Sequence, residues 1–274
     1  MATDDSFGTI VLTGEGIADP AADNTVKLDA TGLAPDTWYS YRFTVAEGEF
    51  AGQVSPIGRT RTTPAAGAAP DKLGIALTSC ANWEAGYFSA YRDMADNADV
   101  DVIMCVGDYI YEYPRGEYTG KSGAIRDHEP AHEIISLADY RRRYGHYRTD
   151  ADLQAAHAAK PWLVTWDDHE VTNDNHATGA ENHDPATEGD YVTRRDAAIQ
   201  AYLEWNDPEQ RHELIADPRR LFFFDEVDTL TASAADKTST LMSEIRTMLT
   251  GGATGTENAT ATRRRFLPAR SYNF

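Results

Sequence analysis

A chain of 274 residues with 41% hydrophobic and 10% aromatic side chains can bury one large core, or a small module beside a medium domain, which excludes a disordered chain. A formal net charge of −19 excludes the basic footprint of a nonspecific nucleic-acid binder and opposes docking on anionic lipid. Two cysteines are too few for a disulfide framework.

No apolar run reaches the roughly 18 residues of a membrane span. Met1 to Ser6 show no basic stretch followed by an apolar core, so no export signal is read there. The chain is then either cytosolic or has had its signal removed. Residues 1–65 alternate apolar and polar positions, in Thr9 to Leu12, Val26 to Ala30 and Trp38 to Val45. That period predicts half-buried strands. The stretch Leu33-Ala34-Pro35-Asp36-Thr37-Trp38-Tyr39-Ser40-Tyr41 is similar to a fibronectin type III strand pair, so a small β-sandwich is expected over 1–65. A flexible linker follows at 66–72.

From residue 73 the pattern changes to strand–helix alternation, which implies a mainly parallel sheet. Leu73 to Thr78, Val100 to Val106 and Pro161 to Trp166 read as strands. The near-continuous apolar character of the second predicts burial on both faces, with Cys105 filling core. Helices are predicted over Tyr87 to Asn97, Leu153 to Ala159 and Val192 to Trp205. The last carries Ala197, Ala198, Ala201, Tyr202 and Trp205 in one stripe.

Three clusters follow the three strands, where open α/β sheets place ligands. In Gly107-Asp108-Tyr109-Ile110-Tyr111 a carboxylate and a phenol three residues apart can present two oxygens to one hard cation. A phenolate ligand calls for an ion as acidic as Fe3+. The same residues also suit a turn aspartate capping the next helix, with Tyr111 packing. In Trp166-Asp167-Asp168-His169-Glu170 the like charges crowd at a cost that a cation would relieve. Asp168 can bridge a metal, and His169 can donate a proton or hydrogen bond to a phosphoryl oxygen or leaving group. In Ser79-Cys80-Ala81-Asn82 the thiol is either a buried structural group or a thiolate held by positive charge.

These motifs, in this order, resemble the calcineurin-like metallophosphoesterases and, more closely, the PhoD-like alkaline phosphatases. Tyr140 to Arg148, Gly179 to His183 and Ala201 to Trp205 resemble that family too. The resemblance implies a metal-dependent phosphoric monoester or diester hydrolase in which a metal-held hydroxide attacks phosphorus. It implies Cys80, Asp108 and Tyr111 as Fe3+ ligands. Asp108 and Asp168 would also touch Ca2+, Asn173 would be a further metal ligand, and His169 would be the proton donor. The implied substrates are small phosphate esters or phosphodiesters, and the implied location is secreted or periplasmic. Cations at the site would also let a strongly negative protein attract them.

The implied fold is a two-sheet α/β/β/α sandwich over 73–274, after the small β-domain. Past about residue 230 the chain departs from the family pattern. The last histidine is His212, so the later histidine and aspartate ligands are not found. One more strand is expected at Leu221 to Phe224 and a helix at Thr240 to Leu249. The rival expectation is a catalytically impaired remnant acting as a binding or structural protein.

Overall fold

The computed structural model describes residues 1–206. Near the N-terminus, Trp38–Tyr41 (β1) pairs antiparallel with Gly58–Arg61 (β2), Trp38 opposite Arg61. The aromatic alternation of β1 buries Tyr39 and Tyr41. β2 carries no apolar side chain, so no hydrophobic period announces it. Its Gly58 lies under the Tyr41 ring, where a Cβ would sit 2.1 Å from ring atoms. The expected strands at 9–12 and 26–30 do not form: only isolated bridges involve Ile10 and Thr25. Ile10, Val11 and Leu28 remain exposed, with no second layer over that alternation among the described residues. Residues 1–65 therefore hold a two-stranded sheet with scattered bridges rather than the fibronectin-like sandwich expected. The linker at 66–72 is exposed throughout.

The N-terminal segment is tied to the rest by polar contacts. Arg61 pairs with Asp36 and Asp101. Trp205 donates from Nε1 to Asp23 at 3.0 Å, and Arg141 donates to the Ala21 carbonyl at 2.6 Å.

The α/β unit runs Ile75–Thr78 (β3), Ser89–Asp96 (α1), Val102–Val106 (β4), Leu137–Tyr147 (α2), Ala151–Ala159 (α3), Trp162–Thr165 (β5), Pro185–Glu188 (α4) and Tyr191–Trp205 (α5). The sheet is parallel in the order β3–β4–β5, with Ile75 opposite Val102 and Ile103 opposite Trp162. Central β4 is buried from Val102 to Cys105, as its unbroken apolar run requires. Ala76, Ile103, Cys105, Trp162 and Val164 join the core shared with the helices. Leu77, Met104 and Leu163 point to the other face and do not join that core. The expected second sheet is not found among the described residues, and the segments at 221–224 and 240–249 lie outside them.

α5 forms as its stripe predicts, with Ala198, Ala201, Tyr202 and Trp205 buried. α2 and the short α4 are helices that periodicity did not announce. Ser136 caps α2 reciprocally with Asp139. Tyr140, Tyr144 and Tyr147 then bury one complete face. Arg143 is also wholly buried and donates to the carbonyls of Tyr111, Tyr113, Glu129 and Pro130.

Candidate metal centre

Three parallel strands end on one edge of the sheet, so the turns after β3, β4 and β5 meet there. Two of these turns hold a non-glycine residue in left-handed backbone, Cys80 at φ 57° and Asp108 at φ 54°. Such conformations persist only where the surroundings impose them, and they concentrate at functional sites. Gly107, at φ 108°, packs on the following turn so closely that a Cβ would lie 2.5 Å from the Asp167 nitrogen. Glu170 staples the same two turns together. Its buried carboxylate accepts from the backbone N–H of Asp108 at 3.0 Å, Tyr109 at 2.5 Å and Asp167 at 2.7 Å.

The result brings Asp108, Asp168 and His169 together, with one donor atom of each within 4.8 Å of the others. The Cys80 Sγ lies 3.3 Å from Asp108 Oδ2, and the Tyr111 hydroxyl donates to the same oxygen at 3.2 Å. Asp108 Oδ1 is buried without a hydrogen-bond partner. An orphaned carboxylate oxygen among acids, a thiol, a phenol and an imidazole fits a cation. Asn173 is placed differently: its amide donates to Glu181 at 3.0 Å, and its backbone N–H donates to Glu112 at 2.7 Å.

The electrostatics follow from burial and crowding. Burial raises the Asp108 carboxyl against the attraction of His169, and Asp168 adds to the rise. Burial, Asp108 and Asp168 push Asp167 up to about 6. Burial and Asp108 push Glu170 to about 8. Burial drives the Cys80 thiol upward, with Asp108 repelling its charge, and burial drives the Tyr111 phenol well above its ordinary range. A cation among these groups favours every one of their charged forms.

His169 is held by a residue whose role the motif reading left unassigned. Its Nδ1 lies 2.8 Å from Glu112 Oε2. The other Glu112 oxygen accepts from the Asn173 backbone, from Thr172 Oγ1 at 3.3 Å and from Asn182 Nδ2 at 3.0 Å. Burial opposes charge on the imidazole, but Glu112, Asp108 and Asp168 outweigh it and carry His169 to about 9. The available signal was an acid placed directly after Tyr111 in a buried turn.

This donor set lies at the carboxyl edge of a parallel three-stranded sheet. A family model described as PhoD-like phosphatase matches residues 75–224, and one described as its N-terminal domain matches residues 1–64. The chain belongs to the PhoD-like phosphatase family. It is 45% identical over 204 residues to Alkaline phosphatase D of Bacillus subtilis (strain 168), covering 74% of this chain and 33% of that protein. A solved structure of PhoD is similar at a TM-score of 0.69 and 42% identity, over 75% of this chain and 38% of the other. The chain thus spans about a third of the length of the curated relative it matches.

Proposed function

We propose that the chain carries the first part of a metal-dependent phosphoric ester hydrolase centre acting on small monoesters or diesters. The observation that carries this reading is the buried, unpartnered Asp108 Oδ1 beside Asp168 and His169. Cys80, Asp108 and Tyr111 would hold the harder, more acidic ion, for which Fe3+ is the proposal, and Asp108 and Asp168 would reach a second ion, Ca2+. Asn173 Oδ1 is a proposed further donor to that centre. Bound cations supply Lewis acidity, neutralising phosphoryl charge and lowering the pKa of water.

The chain's own residues do the rest. Glu112 orients His169 so that Nε2 is the nitrogen left to serve a phosphoryl or leaving-group oxygen. Glu170 keeps the Asp108 and Asp168 turns in register. Export from the cytoplasm belongs to the same proposal, and an export signal encoded upstream of this sequence would support it. Among the described residues no helix is long and apolar enough to cross a membrane.

The test loads the chain with Fe3+ and Ca2+ and follows p-nitrophenyl phosphate and bis-p-nitrophenyl phosphate. Asp108→Asn should lower turnover by about 100-fold or more, and should also abolish the rise in Tm that metal gives the parent chain. Equal turnover in the variant would overturn the site assignment.

A further inference from the structure

The residues between β4 and α2 carry an aromatic side chain that the proposed metal centre does not use. Tyr118 is 46% exposed, yet its ring lies in a near-parallel array with three site aromatics. Its centroid is 4.8 Å from Tyr113 at 28°, 5.6 Å from Tyr111 at 20°, and 6.1 Å from His169 at 30°.

The loop is held from below. The Tyr118 carbonyl accepts from Asn82 Nδ2 at 2.9 Å, which links it to the turn bearing Cys80. Wholly buried Glu84 accepts from the backbone of Gly116 at 2.9 Å and His128 at 3.2 Å. Gly120 packs on Ala85, where a Cβ would lie 3.1 Å from the carbonyl oxygen. Asn82 thereby acquires a purpose that metal binding does not give it: it positions the loop that carries Tyr118.

We propose that Tyr118 is a stacking subsite for the planar group of a phosphate ester whose phosphoryl end lies at Asp108, Asp168 and His169. The proposal rests on the phosphoesterase reading and names its substrate class: esters of a phenol, or of a nucleoside that presents its base. Tyr118 is half exposed and its ring centroid lies 6.1 Å from that of His169, so its open surface adjoins the proposed phosphoryl position. Stacking of a planar group on an aromatic ring is tolerant of the group's hydrogen-bonding pattern, so the subsite selects planarity rather than one base.

Two ligands that cannot be hydrolysed test it, phenylphosphonate and propylphosphonate, titrated calorimetrically into the metal-loaded chain. Phenylphosphonate should bind on the order of tenfold more tightly. That gap should close in Tyr118→Leu and persist in Tyr118→Phe. Equal affinities in the parent chain, or a gap that survives in Tyr118→Leu, would overturn the stacking subsite while leaving the phosphoesterase reading standing. Binding of neither phosphonate would overturn both.

Discussion

At the scale of single residues, the most telling groups are buried and ionisable. His128 has no exposed surface, donates or accepts at 3.1 Å from the Tyr147 hydroxyl, and lies 3.4 Å from Arg143. Burial first, then Arg143 and His146, lower it to about 3. Unfolded, it returns to about 6.5. Between those values the unfolded chain binds the extra proton, so stability is full above about pH 6.5 and falls as the pH drops toward 3. One such group contributes a slope of up to about 1.4 kcal/mol per pH unit. Chemical denaturation at several pH values should show this slope reduced in His128→Gln. Repacking in the variant will move the whole curve, but it will not restore the slope. His157, buried against Trp162 and Tyr109, is lowered in the same direction and steepens the parent curve.

At the scale of elements, α2 shows how a helix can be specified by its cap and its buried face rather than by a clean amphipathic period. Ser136 and Asp139 close both ends of a capping box, with Ser136 Oγ accepting from the Asp139 backbone at 3.3 Å. Ser136→Ala should lower stability by about 1 kcal/mol, read as a fall in Tm of several degrees. An unchanged Tm would mean that the buried tyrosine face alone holds the helix. Arg143 explains why this element matters to the site. A guanidinium that spends its donors on the Tyr111 and Tyr113 carbonyls fixes the backbone that carries Tyr111, Glu112 and, further on, Tyr118.

At the scale of the whole molecule, the three-stranded sheet packs one face on the helices, and on its other face, among the described residues, Met104 is buried while Leu77 stays exposed. Leu77 is 54% exposed on that second face, which it shares with Met104 and Leu163. Covering a side chain of that size is worth roughly 1.5–3 kcal/mol. The chain should therefore bind an apolar fluorescent dye in its native state, and Leu77→Lys should reduce that binding without lowering Tm by more than about 1 kcal/mol equivalent. Dye binding that is absent from the parent chain would show that the face is covered.

From residue 73 onward the three strands, helices α1, α3 and α5, the burial of the central strand and the three strand-end clusters follow from local signals, whereas α2 and α4 do not. Apolar runs, a 3.6-residue stripe and acids placed after strands are statements about neighbours in sequence, and the chain alone states them. The N-terminal alternation misled for a physical reason. A period of two becomes a strand only where a second layer buries one face, and among the described residues Ile10, Val11 and Leu28 have none. β2 was silent because its packing partner, Tyr41 over Gly58, lies 17 positions away in sequence. What only the tertiary structure decided is which polar groups meet. Glu112 with His169, Glu170 with the Asp108 turn, and Asn82 with the Tyr118 loop join residues 36 to 62 positions apart. No local pattern encodes such pairs, because burial makes each carboxylate or amide seek whatever donors and acceptors the fold brings within reach.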